Sequence, residues 1–396
     1  VEHEQFGQGP VRDVLRAVRE LAPGLRARAE ETEQTRRLPE ATLKELRESG
    51  VFRLLRPRAH GGLAADPRAH FTAVRELAGA CGSTGWVASV FGVHLWHLAL
   101  FDPRAQQEVW GEDPEALLCS SYAPGATAAV HDGGYTLHGR WHFSSGSDHA
   151  DWALLGGLVP RGGGEPPALR AFLVPRADFR VEDEWDTVGL RGTGSNDVVV
   201  EDAYVPAHRT LELGVPDLAY PGRAVNVEPV YRMAFPAMFT TAVAVPSVGI
   251  AEAAVRHHCE ALRARIAAGT PRRGDLEAAG QLRIARGAGE IDAAWRQLIG
   301  NIGELYDCAQ RDEAPSLALR ARARRDQVLA AERAMDVVDT LMAYAGGNAM
   351  RAGAGVLQRA WRDTRTARGH AANDIERGLL PFAQQALGLE VREAMV

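Results

Sequence analysis

The sequence predicts a mostly helical α+β protein in three parts: an N-terminal helical domain over residues 1–118, a central antiparallel β-domain over 119–212, and a C-terminal four-helix bundle over 213–396. Three observations carry this. Apolar residues recur at three- and four-residue spacing up to about residue 118 and again beyond about residue 226. Between them lie short β-branched runs bounded by Gly, Pro and Asp. Each helical half also contains a long stretch free of Asp, Glu, Lys and Arg, Cys81–Phe101 and Met233–Ala251, and these read as helices buried on every side.

The first helix is marked by Val11, Val14, Leu15, Val18 and Leu21 on one face. A second starts after Leu38-Pro39, continues through Leu43 and Leu46, and stops at Gly50. Pro57 and Gly61-Gly62 mark a loop, and Gly82–Gly85 opens the first uncharged helix. In the middle region Tyr135–Gly139 follows the turn sequence Asp132-Gly133-Gly134. Trp152–Val159, Leu169–Val174 and Val198–Val205 are further strands, and Arg161–Pro167 is a Gly/Pro-rich loop. Helical pattern returns over Ala251–Ala267, Leu276–Cys308 and Ala318–Ala343, with breaks at Gly269-Thr270-Pro271 and Pro315. Gly346-Gly347-Asn348 ends the last of these, and Val356–Ala367 opens another.

With 396 residues, 46% of them hydrophobic, the chain can bury a large core in two or three sub-domains. A net charge of −6 offers no electrostatic footprint for nucleic acid or an anionic membrane. His94 and His97 in one uncharged stretch, and Pro236, Pro246 and Thr240 in the other, favour buried protein helices over membrane spans. Cys81, Cys119, Cys259 and Cys308 show no paired spacing and are expected as reduced thiols. Val1–Pro10 is polar, without a basic-then-apolar leader pattern, and a cytoplasmic location is expected.

Several chemistries lack their signature. No Gly-x-Gly-x-x-Gly follows a strand, so no nicotinamide-binding turn is present. There is no phosphate-binding P-loop and no Gly-x-Ser-x-Gly elbow. No Glu-x-x-His pair suggests a di-iron bundle, and His94 with His97 has no third ligand nearby in sequence, so no metal is expected.

Three segments stand out. In Gly85-Trp86 through Gly92-Val93-His94-Leu95-Trp96-His97, a histidine inside an uncharged helix must find a partner. It is either a core histidine bonded to a backbone carbonyl or a functional group. Leu118-Cys119-Ser120-Ser121-Tyr122 and Trp141-His142-Phe143-Ser144-Ser145-Gly146 place small hydroxyls beside aromatics at strand ends. That pattern suits a flat heteroaromatic ligand as well as ordinary serine capping. Arg362-Asp363 is followed by His370-Ala371-Ala372-Asn373.

These segments, in this order, resemble the acyl-CoA dehydrogenase superfamily over nearly the whole chain. Leu38-Pro39 through Gly61-Gly62 looks like its N-terminal helix and loop. Gly192-Thr193-Gly194-Ser195 with Val198–Pro206 looks like its closing strand. Gly346-Gly347-Asn348 and Arg362-Asp363 look like its C-terminal flavin and dimer-contact region. One departure decides the branch. Many acyl-CoA dehydrogenases carry a glutamate base eight residues after the Arg-Asp aspartate, and here that position is Ala371.

His94, Ser120-Ser121, Trp141-x-Phe143-Ser144-Ser145-Gly146 and His370-Ala371-Ala372-Asn373 resemble instead the oxygenase components of two-component flavin monooxygenases. Those include 4-hydroxyphenylacetate 3-hydroxylases, steroid-derived phenol hydroxylases and aromatic polyketide hydroxylases. The resemblance implies reduced FMN or FADH2 from a separate NAD(P)H:flavin reductase, O2, a C4a-hydroperoxide, and hydroxylation of a small phenolic or polyketide aromatic beside its hydroxyl. It implies catalytic roles for His94, Ser145, His370 and Ser120, with His94 at the phenol and Ser145 at flavin N5. It places Trp86, Ser121, Tyr122, Trp141, Phe143 and Ser144 around the flavin, with Gly346, Gly347 and Asn348 in its C-terminal contact. Arg232 and Phe235 are added as a flavin or substrate contact, Arg263 or Arg265 as a phosphate ligand across a subunit interface, and a homotetramer as the assembly. An N-oxygenase of an amino sugar nucleotide is the alternative in the same superfamily, and an acyl-CoA dehydrogenase with a relocated base is a further one.

Overall fold

The computed structural model describes residues 8–214, 220–270, 277–351, 353, 355–393 and 395–396. The polar stretch read at Val1–Gly7, the break at Pro271 and the helix start at Leu276 lie outside these.

Among the described residues, five α-helices precede the sheets: α1 (Pro10–Thr35), α2 (Glu40–Ser49), α3 (Pro67–Ala80), α4 (Gly82–Leu98) and α5 (Pro103–Trp110). α2 stops where Gly50 takes a left-handed conformation, φ 78°, and its N–H bonds back to the Arg47 carbonyl. α4 is buried along its whole length, as an uncharged helix must be. It lies close to α3 because it carries glycine at the contact. A Cβ on Gly85 would come within 2.4 Å of Ala78, and one on Gly92 within 2.1 Å of the His70 ring.

Among the described residues, eight strands follow in two four-stranded sheets. β1 (Leu118–Thr127), β4 (Trp152–Val159), β5 (Ala168–Pro175) and β8 (Thr210–Glu212) form one, in the order β1-β4-β5-β8. β2 (Ala129–His131), β3 (Gly134–Ser144), β6 (Arg180–Glu182) and β7 (Asn196–Pro206) form the other, in the order β2-β3-β7-β6. Leu137, Trp141, Leu155, Phe172 and Val198 fill the core between them.

The wholly antiparallel β-domain expected from sequence needs one correction, because β1 and β4 pair in parallel. Between them the chain leaves for the second sheet and makes the β2–β3 hairpin there. That excursion is long enough for a parallel return, which no tight turn could provide.

Beyond the sheets run α6 (Phe235–Ala267), α7 (Ala278–Gln310), α8 (Leu317–Ala343), α9 (Val356–Arg368) and α10 (Ile375–Ala386). α6, α7, α8 and the shorter α9 make the bundle, and α10 lies against α8. α6 is long and apolar enough to cross a membrane, yet 83% of its most apolar window is buried inside the protein. α3 and α4 pack directly on α6, so the two helical regions share one hydrophobic core. The Ser89 hydroxyl donates to the Ala242 carbonyl at 2.7 Å, and Trp96 Nε1 donates to the Val230 carbonyl at 2.8 Å, which ties α4 into that core.

The helices grip the β-domain at the loop 185–195. Asp363 on α9 is buried and accepts the Leu190 N–H at 2.6 Å. Arg362 donates to the Val188 carbonyl at 2.7 Å and pairs with Glu33 on α1. A Cβ on Gly189 would meet the Arg362 carbonyl at 2.2 Å, so backbone lies on backbone here. Asp363→Ala is expected to cost about 2 kcal/mol, since it strands a buried amide, and Asp363→Asn to recover part of it. Urea denaturation of the two variants against wild type checks this; an unchanged midpoint in the alanine variant would show that the grip is not needed.

Candidate active site

Burial makes His94 specific. Its ring lies inside α4 with no access to solvent for a charge. Nδ1 donates to the Leu118 carbonyl at 2.7 Å, which leaves Nε2 as the acceptor. The Ser120 hydroxyl, at the start of β1, donates to that Nε2 at 2.7 Å. The carbonyl-bonded reading of this histidine is the one the contacts show, and its remaining lone pair accepts from a serine.

Next to this pair, His97 Nδ1 is 2.7 Å from the Tyr122 hydroxyl, while its Nε2 is buried without a partner. The His97 ring packs on Phe235 at 4.6 Å and on Tyr122 at 5.4 Å, and Phe235 stacks on Phe239 at 5.3 Å. Phe239 leads to His370 at 6.0 Å, and His370 to Trp86 at 5.8 Å. His370 Nδ1 accepts the Ala372 N–H at 3.0 Å, so its ring proton sits on Nε2.

Trp86 opens a second network. Its Nε1 donates to the Ser145 hydroxyl at 3.0 Å. Ser145 Oγ lies 2.8 Å from Ser195 Oγ, Ser195 Oγ lies 2.7 Å from Thr193 Oγ1, and Thr193 donates to the Leu190 carbonyl at 2.8 Å. The chain reaches Ser145 through a bulge: Trp141 pairs with Val198 and Ser144 with Asn196, leaving one extra residue on β3. Gly146 then turns at φ 74°, and its N–H donates to the Thr193 carbonyl at 2.8 Å.

His94, Ser120, Tyr122, Phe235, His370, Trp86 and Ser145 thus form one contiguous set. Ser121 lies beside it, half-buried on β1, and Ser144 is buried with its hydroxyl unpartnered. Trp141 is corrected: it is 1% exposed, sits between the sheets, and donates to the Gly156 carbonyl at 2.7 Å, so no ligand can stack on it. Phe143, two residues on, is 69% exposed on a positive φ of 66°, with Trp185 at 6.1 Å. An exposed aromatic on strained backbone is a fit for a flat cofactor.

Arg232 bonds the Ala309 carbonyl at 3.2 Å and pairs with Asp312 at 3.4 Å; with Phe235 it lines a cavity of about 560 Å³. Arg263 lies far along α6, about 40 Å from Phe235 at the ordinary helical rise. Gly346, Gly347 and Asn348 are exposed in the loop between α8 and α9. Neither Arg263 nor these three joins the set within one chain. Sequence reasoning missed Ser195 and Thr193 as site residues, and it weighed His97 only as a metal ligand. Among the described residues no three His, Cys, Asp or Glu cluster for a metal.

Burial dominates the protonation states. It pushes His94 and His370 down to about 4 and His97 to about 3, and it raises Tyr122 well above its usual value. All are neutral at pH 7.

Residues 11–112 match the acyl-CoA dehydrogenase N-terminal domain family and residues 241–375 the acyl-CoA dehydrogenase C-terminal domain family. The oxygenase subunit HsaA of a flavin-dependent monooxygenase from Rhodococcus jostii is 47% identical, over 95% of this chain and 98% of its own. The oxygenase component of an FADH2-dependent resorcinol hydroxylase from Rhizobium is 34% identical over 93% of each chain. The crystal structure of 3-HSA hydroxylase from Rhodococcus covers all of both chains, with 45% identity and a TM-score of 0.94.

The chain belongs to the flavin-dependent monooxygenases of the acyl-CoA dehydrogenase fold. It is the oxygenase component of a two-component hydroxylase and works with reduced flavin. Relatives are named as oxygenase subunits or components, which implies a separate reductase as the source of the reduced flavin.

The buried histidines set a pH dependence. His70, His94, His97 and His370 stay neutral in the fold, while their unfolded forms bind protons below the ordinary 6.5. Their contribution is complete above pH 6.5 and is lost as pH falls toward 4. Asp363, raised from 3.8 to about 6, acts oppositely in this window, as do Asp148 and Asp336, which burial also raises, while His60 and His149, lowered by burial, add to the four histidines. Denaturant midpoints are therefore expected to fall from pH 7 to pH 5; a flat profile would contradict neutral burial of the histidines.

Proposed function

We propose that this oxygenase hydroxylates a phenolic or polyketide-like aromatic ring at the carbon next to its hydroxyl, and that the Ser120–His94 pair takes the phenolic proton. The observation that carries the reading is the direction of the Ser120–His94 bond. Ser120 gives its proton to His94 Nε2, so Ser120 Oγ presents lone pairs outward and can accept a phenol O–H. As the phenol yields its proton to Ser120, the serine proton passes to Nε2. The Leu118 carbonyl holds the ring in the tautomer that this needs.

The phenolate that remains is a far better nucleophile than the phenol. Reduced FMN or FADH2 with O2 supplies the electrophilic oxygen. The buried rings of Phe235 and His97 and the half-buried ring of Tyr122 exclude water from the phenol. The cavity beside Phe235 and Ala237, at about 560 Å³, suits the rest of a substrate larger than one ring. Ser145 supports a place at the N5 edge of the flavin because it stands on Trp86, across the aromatic set from Ser120. His370 Nε2–H supplies a hydrogen-bond donor near the same rings. The reading carries a homotetramer, in which exposed Arg263 meets the flavin phosphate of a neighbouring chain.

His94→Ala and Ser120→Ala are each expected to lower hydroxylated product by about 100-fold or more. Consumption of O2 should continue as H2O2 release, because the proton acceptor is lost and the flavin chemistry is not. Product mass and H2O2 yield, with reduced FMN or FADH2 and a panel of phenols, check this. Wild-type product levels in both variants would remove the pair from the mechanism.

A further inference from the structure

The hydroxyls behind Ser145 have only one way to place their protons. Three short oxygen–oxygen contacts run in series, Ser145 to Ser195, Ser195 to Thr193, and Thr193 to the Leu190 carbonyl. At 2.7–2.8 Å each contact needs one proton between its oxygens. Three hydroxyls supply three protons, and the carbonyl supplies none. Thr193 must donate to Leu190, Ser195 to Thr193, and Ser145 to Ser195. At the other end the Trp86 indole can only donate, and it does so into Ser145. Ser145 therefore has no proton to offer a ligand. It has one lone pair left.

This matters for a flavin because N5 changes its hydrogen-bonding sense with oxidation state. Oxidised flavin has a lone pair at N5 and reduced flavin has an N–H there. Two facing acceptors repel, and an acceptor facing an N–H bonds. We propose that Thr193 and Ser195 are positioning residues which hold Ser145 as an acceptor, so that the site selects reduced over oxidised flavin. The inference rests on the proposed place of Ser145 at N5. Thr193 and Ser195 are buried and act through Ser145 alone. The selection serves a component supplied by a separate reductase, because the oxidised product is released and reduced flavin rebinds.

The test is a pair of dissociation constants, for oxidised FMN by fluorescence quenching and for reduced FMN under anaerobic conditions. Thr193→Val keeps the side-chain shape and removes the hydroxyl. The Leu190 carbonyl keeps Trp185 Nε1 at 2.9 Å and the residue-193 amide at 3.1 Å, so the loop retains its bonds. Ser195 is then free to donate to Ser145, and Ser145 to donate to oxidised N5. Oxidised FMN should bind more tightly and reduced FMN more weakly, with the ratio of the two constants falling by about tenfold or more. The two-electron potential of the bound flavin should fall by about 30 mV for each tenfold. Thr193→Ser should restore the wild-type ratio. Ser195→Ala breaks the series at its middle and should act like the valine variant, which gives a second arm if that one does not fold.

A ratio unchanged in both Thr193→Val and Ser195→Ala, with Ser145→Ala still altering it, overturns the role of the chain and leaves Ser145 at the flavin. Constants unchanged in Ser145→Ala remove Ser145 from N5, and the inference falls with that placement.

Discussion

The bond between Asp363 and the Leu190 amide is the constraint on which the site depends. It is the point where the helical bundle holds the β-domain, and the segment it holds continues directly into Thr193 and Ser195. Through them it reaches Ser145 and Trp86. The residues on either side serve the same end: Arg362 holds Val188 and Glu33, and the indole of Trp185 folds back onto the Leu190 carbonyl. A buried carboxylate costs desolvation, which raises Asp363 to about 6. The backbone N–H it accepts offsets part of that cost. The expense falls at the joint between two cores, where a small slip would misplace every hydroxyl downstream.

The same economy of charge governs the rest of the site. His94, His97 and His370 are neutral because their surroundings are apolar, and each is oriented by a neutral partner: a carbonyl, a phenol and a backbone amide. A carboxylate in place of the Leu118 carbonyl would stabilise imidazolium and raise the basicity of His94. The carbonyl fixes the tautomer without doing so. A base with a pKa near 4 in the free protein is weak, yet on the proposed reading it takes a proton only once a phenol has closed the site and a phenolate lies beside it. The nascent phenolate then stabilises the imidazolium that burial alone opposes.

Much of this was legible in the sequence, and the failures have definite causes. Trp152–Val159 reads as a strand and is one with the same limits, because apolar and β-branched residues bounded by Asp and Pro leave little choice. The two uncharged stretches read as buried helices because nothing in them could face water. Parallel pairing of β1 with β4 was not legible, since alternation reports which face is buried and not the direction of the neighbour. The resemblance places Trp141 and Phe143 together on the flavin, and residues two apart on a regular strand would share a face. The bulge between them inverts that relation, and one becomes core while the other becomes surface. Thr193 and Ser195 carry no signal of their own. Their meaning comes from contacts with hydroxyls some fifty residues away and from a count of protons.

That count links the two networks. Ser120 turns its proton to His94, and Ser145 turns its proton to Ser195. Both serines thus keep a lone pair for a ligand, although they hang from different strand ends and are held by different partners. Two serines that both accept are matched, on the proposed reading, to ligands that arrive as donors: a protonated phenol at one end and the N–H of reduced flavin at the other. Oxidised flavin and free phenolate arrive as acceptors and meet the wrong polarity. Serine can turn either way in water, so its identity alone does not set this preference. The preference comes from what stands behind each serine, an imidazole lone pair in one case and a series ending on a carbonyl in the other. Neither can supply a proton at neutral pH, and so neither serine can turn.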